Sequence, residues 1–236
     1  MAGALWLLPV ALGDAPWAGY LPAATRDAAC RLGHFVVENS RTARAELKRI
    51  GHPRPLRELA IEELPDKPAA ADIERLLAPL HEGHDLGLMS EAGCPAVADP
   101  GALLVRRAHE LGITVKPMVG PSSLLLALMA SGLDGQCFAF LGYLPVREPE
   151  RGRRIVELER ESARLGQTQI FIETPYRNQA LFAALTQACR PRTRLCLATD
   201  LGLEREWIAT RRVADWKSAA MPEIDKRPTV FLLLAD

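Results

Sequence analysis

Short apolar runs alternate with helix-spaced segments along almost the whole chain, and this alternation narrows the available folds more than any other feature. Leu5-Trp6-Leu7-Leu8 and His34-Phe35-Val36-Val37-Glu38 read as strands, with a helical Thr25 to Leu32 between them. Ser40 reads as the cap of a helix running to Lys48 and stopped by Gly51. Beyond a stretch punctuated by Pro53, Pro55, Pro65 and Pro68, the residues Ile73, Leu76, Leu77 and Leu80 recur at helical spacing. Leu86-Gly87-Leu88-Met89 is a third apolar run; a loop, a helix over Ala102 to Leu111 and a strand at Ile113 to Met118 follow. Strands separated by helices pair in parallel, because each helix supplies the crossover.

A second unit is expected to begin near Val119. Pro121 to Met129 reads as an apolar helix, Phe138 to Leu141 as a strand, and Val146 to Arg154 as a charged loop leading into a long helix. Strands are expected at Gln169 to Glu173, Leu195 to Ala198, Glu206 to Ala209 and Thr229 to Leu234, with helices over Tyr176 to Cys189 and Val213 to Ala219. Several of these are joined by short or irregular connections, which points to a mixed sheet. The expected architecture is α/β in two domains: residues 1–118 with a mostly parallel sheet, residues 119–236 with a mixed sheet, and a cleft between them.

Composition sets outer limits. The 236 residues are 48% apolar and 25% charged, ordinary for a soluble globular enzyme. Twenty-nine basic residues balance 29 acidic ones, so no global field draws the chain to nucleic acid or membrane, and polyanion binding requires a local patch. Five scattered cysteines without a CxxC pair argue against a disulfide framework. Cys30, Cys137 and Cys196 lie in apolar runs and are expected as buried free thiols in a reducing compartment. The one histidine pair, His81 and His84, flanks a helix-stopping Gly83, so no metal site is expected. The apolar start lacks a basic flank and is broken by Pro9 and Asp14, and Leu124 to Ala130 falls far short of the roughly 20 residues a bilayer requires. A cytoplasmic protein without membrane attachment is expected.

The chemistry lies in small-residue loops placed after strands. No G-x-G-x-x-G, Walker A, zinc or G-x-S-x-G signature is present. Instead there are Pro9-Val10-Ala11-Leu12-Gly13-Asp14, Ser90-Glu91-Ala92-Gly93-Cys94-Pro95 running on to Gly101, Val119 to Ser123, and Glu173-Thr174-Pro175. Asp99-Pro100 reads as an N-cap followed by a first-turn proline. Loops rich in backbone donors and poor in charge, at the carboxyl ends of strands, suit a medium-sized polar organic cofactor. Ser122 and Ser123 either hydrogen-bond that ligand or cap their own helix.

These stretches, with Phe140 to Pro145 and Phe171 to Arg177, resemble the S-adenosylmethionine-dependent tetrapyrrole methylase superfamily. The nearest resemblance is to the branch containing the small-subunit ribosomal RNA ribose 2′-O-methyltransferases. It covers nearly the whole chain in order, and the Ser90 to Gly101 match is the most specific. The resemblance implies S-adenosyl-L-methionine as cofactor, a homodimer, and cofactor contacts at Pro9, Ala92, Gly93, Cys94, Val97, Ser122, Ser123 and Glu173, with Ala198 to Asp200 as further contacts. Three positions depart from that branch. Its acidic-acidic-Thr-Arg run is Glu38-Asn39-Ser40-Arg41 here, its Gly-Asn pair is Gly13-Asp14, and an Asp of the central loop is Glu91.

Methyl transfer to a hydroxyl needs alignment, exclusion of water and a proton acceptor. Glu38, Glu91, Asp99 and Glu173 sit at strand ends and are the candidates, with Asp99 also read as a helix cap. Glu38 is preferred as the catalytic carboxylate, with Arg41 close enough to orient it or bind substrate; a surface salt bridge of Glu38 with Arg41 or Arg44 is the competing reading. Tyr176 and Arg177 are the substrate-binding candidates, able to stack on a flat ring. The arginines between 147 and 154, interleaved with Glu148 and Glu150, read as a solvated helix start or as a phosphate-binding patch. The resulting expectation is a methyltransferase acting on ribosomal RNA ribose. The alternatives are a tetrapyrrole or other small-molecule acceptor, and a non-catalytic S-adenosylmethionine-binding regulatory protein.

Overall fold

The computed structural model describes residues 2–99 and 101–236. They form two compact units that divide between Ser122 and Ser123. In the first unit β1 (Leu5–Leu7), α1 (Ala23–Arg31), β2 (His34–Val37), α2 (Ser40–Arg49), β3 (Ala60–Glu63), α3 (Ala70–His81), β4 (Leu86–Met89), α4 (Gly101–Glu110) and β5 (Val115–Pro117) follow in order. The strands make a five-stranded sheet, β3-β2-β4-β1-β5, in which every pairing is parallel.

The central strand β4 is buried at every residue, which is why its sequence is an unbroken apolar run. Leu86 and Leu88 pack with Leu76, Leu80 and Leu104 in one cluster, and Met89 packs with Phe35, Val37 and Leu47 in another. Gly87 makes room for the second cluster, since a Cβ there would come within 2.8 Å of the Phe35 ring and 2.9 Å of Leu8. Helices thus cover both faces of the sheet, and the loops after β1, β2 and β4 emerge at one edge.

The second unit contains α5 (Ser123–Ser131), β6 (Phe138–Tyr143), α6 (Glu150–Leu165), β7 (Thr168–Ile172), α7 (Asn178–Ala188), β8 (Arg194–Thr199), β9 (Trp207–Arg212), α8 (Val213–Ser218) and β10 (Thr229–Leu234). Its sheet runs β6-β7-β10-β8-β9, with β6 and β7 parallel and β10 antiparallel to both neighbours. The expected mixed sheet is present. Phe171, Phe231, Leu195 and Leu197 pack against Ile155, Leu158, Leu181 and Trp216 of the helices in one core.

Several local expectations are corrected. β3 lies in the stretch read only as proline-punctuated; it is an edge strand paired on one side, and Glu62 on it forms an ion pair with Arg75. The cap of α2 is Asn39, not Ser40: its Oδ1 accepts from the backbone N–H of Arg41 at 2.9 Å and of Thr42 at 3.2 Å. Tyr176 lies in a 3₁₀ turn, Pro175–Arg177, ahead of α7. Cys30 and Cys137 are partly exposed, while Cys189 and Cys196 are buried; all five thiols are free. Cys30, on α1, packs partly buried against the core of the first unit, its Sγ directed at the Gly51 carbonyl. The first-turn proline expected at Pro100 lies outside the described residues. Among those residues no helix is long and apolar enough to cross a membrane. The two units divide after Ser122, and Val119 is tied to the first of them: Thr25 Oγ1 donates to its carbonyl at 2.7 Å.

Candidate functional site

Three of the small-residue loops are pinned together in the first unit. Val10 and Gly93 exchange backbone hydrogen bonds of 2.9 and 3.2 Å, joining the loop after β1 to the loop after β4. Gly93 holds φ at +74°, a conformation that L side chains resist. Cys94 Sγ donates to the Pro121 carbonyl at 3.4 Å, and burial pushes this thiol's pKa up, so it serves as a neutral donor in the packing. Gly120 lies so close to Pro9 that a Cβ would come within 2.3 Å of the ring. Pro9 and Gly93 are buried and Cys94 partly so, while Ala92 and Val97 are exposed at the surface of the cluster. The structure therefore brings together Pro9, Ala92, Gly93, Cys94 and Val97, with Ser122 at the end of the third loop.

The carboxylates are arranged differently from the expectation. Glu38 Oε2 accepts the backbone N–H of Glu91 at 2.9 Å, tying the end of β2 to the central loop. Arg41 is exposed, and it is its backbone N–H that the cap of α2 engages. Arg44 faces Glu63, whose Oε1 accepts the Ser40 N–H at 2.7 Å. Asp99 stands near Glu38, Ser90 and Glu91. Burial, and then the charge of Glu38, push its carboxyl up from 3.8 to about 6; a Ser90 hydrogen bond opposes the rise and Glu91 adds to it.

A folded-state pKa above the unfolded one means that the proton is held more tightly in the native protein. The stability associated with protonated Asp99 is therefore complete below pH 3.8 and is lost as pH rises through about 6. Asp99→Asn is expected to flatten the fall in Tm between about pH 4 and about pH 6.5; equal slopes in the two proteins would contradict the assignment.

One group of functional interest escaped the sequence reading. Glu46 on α2 is only 6% exposed; Tyr20 donates to its Oε1 at 2.6 Å and Arg49 to its Oε2 at 2.6 Å. Burial, followed by the bond to Glu46, raises the Tyr20 pKa. Arg49 also reaches Asp14, at 3.0 Å. A cavity of about 190 Å³ opens beside this network, between Val10 to Gly13, α2 and Ser90 to Ala92. The signal was present: Ala43, Glu46, Leu47 and Ile50 share one buried stripe of α2, and a carboxylate on an apolar stripe needs buried partners.

In the second unit Glu173 is buried at the end of β7, accepting from the Thr174 N–H at 2.6 Å and from Arg177 Nη2 at 2.7 Å. Arg177 Nε is buried without a hydrogen-bond partner among the described residues. Tyr176 is 77% exposed. At the end of β8, separated from β7 by β10, Asp200 accepts from Arg227 Nε at 2.7 Å. Ser123 opens α5. Of the four arginines between 147 and 154, Arg151 pairs with Glu148 and Arg154 with Glu157, as suits a solvated helix start.

The chain is similar to known proteins over most of its length. Residues 26–216 match the family described as Tetrapyrrole (Corrin/Porphyrin) Methylases. "Ribosomal RNA small subunit methyltransferase I" of Xylella fastidiosa strain Temecula1 is 40% identical over 141 residues, covering 60% of this chain and 48% of that protein. The protein of the same name from Mesorhizobium japonicum is 38% identical over 149 residues, 62% of this chain and 49% of that one. The chain thus spans about half the length of the curated relatives it matches. Among solved structures, the methyltransferase CobJ superposes with a TM-score of 0.66 at 16% identity, over 99% of this chain and 95% of that one. Uroporphyrin-III-C-methyltransferase from Thermus thermophilus gives 0.58 at 19% identity, over 99% and 93%; at such identities the likeness concerns the fold alone. With four fifths of its length matched and the fold shared end to end, the chain belongs to the tetrapyrrole (corrin/porphyrin) methylase family.

Proposed function

We propose that this protein is an S-adenosyl-L-methionine-dependent methyltransferase that methylates a ribose 2′-hydroxyl of small-subunit ribosomal RNA. The observation that carries the proposal is the loop cluster held by the Val10–Gly93 pair, with Glu38, Glu91 and Asp99 beside it. Small residues there leave the backbone open to an organic ligand, and the carboxylates of Glu38 and Glu91 beside it favour a cationic one. A sulfonium cofactor fits both properties, and when bound it supplies an electrophilic methyl group. Pro9, Ala92, Gly93, Cys94, Val97 and Ser122 are assigned to holding it, with Ser123 and Glu173 added by the resemblance.

Glu38 is the proposed proton acceptor, with one carboxylate oxygen committed to Glu91 and so held in place. Arg41, exposed at the start of α2, is assigned to the RNA rather than to orienting Glu38. Tyr176 and Arg177 are assigned to the acceptor because one is an exposed ring and the other has an unengaged buried N–H. The RNA acceptor is supported by the relatives named as ribosomal RNA methyltransferases. The proposal includes a cytoplasmic homodimer.

The test combines calorimetry with transfer of labelled methyl to small ribosomal subunits lacking native modification. Binding of S-adenosylmethionine and S-adenosylhomocysteine, with label recovered in a 2′-O-methyl nucleoside, is expected. Label recovered in a base, or in a small-molecule fraction of cell extract, would refute the ribose assignment. Cofactor binding without transfer to any fraction would favour the regulatory alternative.

A further inference from the structure

One end of the second sheet carries a concentration of arginine that the proposed site does not use. β8 begins at Arg194 and the edge strand β9 ends at Arg212, and these two residues are direct partners across the antiparallel pair. Such partners project from the same face with Cβ atoms about 5 Å apart, and like charges placed so oppose one another. Arg194 meets one carboxylate, that of Asp236 at 2.8 Å. Arg212 is exposed and forms no ion pair among the described residues. Arg211 belongs to the other face, where its guanidinium lies over the Trp216 ring, 4.8 Å from the centroid.

The turn that leads into β8 stands at the same end and is held from two sides. Glu159 of α6, only 4% exposed, accepts the backbone N–H of Arg190 at 2.6 Å and the Thr193 hydroxyl at 2.5 Å. The Pro191 and Thr193 carbonyls accept from the N–H groups of Ala214 and Val213 at the start of α8, at 3.1 and 2.9 Å. Arg192 lies between these fixed points, exposed and without an ion pair among the described residues. A main chain anchored in this way loses little conformational entropy when its arginine takes up an anion. Phosphate suits the arrangement: its oxygens accept from guanidinium forks, and its charge relieves the opposition of Arg194 and Arg212. Three guanidinium groups spread over a turn and a strand edge match a chain of phosphates better than a single ion.

We infer that Arg192, Arg194 and Arg212 form a platform that grips the phosphate backbone of the acceptor RNA at a point remote from the methylated ribose. β10 is antiparallel to both β7 and β8, so β7 and β8 run the same way, and Tyr176 and Arg177 follow the opposite end of the sheet. The six residues of β8 separate the two ends by about 17 Å. The platform therefore sets the orientation of a folded RNA and does not choose the nucleotide, the usual division between phosphate and base contacts. The inference rests on the RNA reading above and adds to it a second point of attachment.

The experiment measures retention of labelled small ribosomal subunits by the full chain, saturated with S-adenosylhomocysteine, between about 50 and 200 mM potassium chloride. Retention is read independently of methyl transfer. Arg192→Gln and Arg212→Gln are each expected to weaken binding at least about tenfold at the lower salt, and to reduce the slope of log K against log salt by about 0.7–0.9. Arg211→Gln removes the same charge from the other face and is expected to leave the slope unchanged. Arg212→Lys, which keeps the charge, is expected to restore the slope and serves as the check should the glutamine variant fold poorly. S-adenosylhomocysteine affinity is expected to be that of the wild type throughout. Wild-type slopes in Arg192→Gln and Arg212→Gln would overturn the inference and leave the proposed function standing. An equal loss in Arg211→Gln, the mark of a diffuse charge effect, would overturn it as well. So would lost binding to phosphatidylserine vesicles with subunit binding intact, which would assign the platform to a membrane surface. A wild-type chain that neither retains nor methylates the subunits would defeat the proposed function and this inference with it.

Discussion

Gly93→Leu is expected to reduce S-adenosylhomocysteine affinity by at least about 100-fold, the scale of loss when a site is displaced by an ångström. Two costs combine. A non-glycine residue at φ +74° carries about 1–2 kcal/mol of backbone strain. A Cβ at this position also stands 3.4 Å from Leu12 and 3.7 Å from the Pro121 carbonyl, so the rest of a leucine side chain must push two loops aside. Relief of that crowding breaks the Val10–Gly93 pair that holds the cluster. Gly93→Ala separates the two costs, because it introduces the strain with little of the crowding, and is expected to lose only about tenfold. Calorimetric titration measures both variants, with melting curves to show that each is folded. Wild-type affinity in Gly93→Leu would remove the loop cluster from the cofactor assignment.

Phe231→Ala is expected to destabilise the second unit by about 3–5 kcal/mol, the range for truncating a fully buried aromatic. Phe231 is 0% exposed at the middle of β10, between β7 and β8, and its ring stacks on Phe171 with centroids 6.0 Å apart. Strands hold this position on both sides, so the surroundings have little freedom to collapse into the void. Phe231→Leu retains most of the volume and is expected to cost less than about 1.5 kcal/mol. Urea denaturation measures the difference, and hydrogen exchange locates it: amides of β7, β8 and β10 should lose protection together. A loss below about 1 kcal/mol for the alanine variant would show that this core is not closely packed.

The edge strands β5, β6 and β9 were legible in sequence, but the clearest signals came from strands with partners on both sides. Leu86–Met89 and Thr229–Leu234 are buried along their length or nearly so, and their residues are apolar accordingly. β3 was not legible, because an edge strand of four residues carrying Glu62 and Glu63 has only Ala60 and Ile61 to announce it. The loops of the candidate site were legible from their glycines and prolines, whose conformational limits are local properties. Asn39 was passed over in favour of Ser40, since either residue type caps a helix and only the backbone decides which one stands outside it.

The amino-acid sequence by itself determined the order of strands and helices, the division into two α/β units and the placing of small-residue loops after strands. Those properties follow from hydrophobic period and backbone preference over a few residues at a time. Only the tertiary structure decided which side chains meet. Glu38 finds the amide of Glu91, 53 residues away, because β2 and β4 are neighbours in the sheet. Asp14 finds Arg49, 35 residues away, because the loop after β1 folds onto α2. The charge felt by Asp99, and the wall of the cavity beside Glu46, arise from these long-range meetings, which no local window of sequence contains.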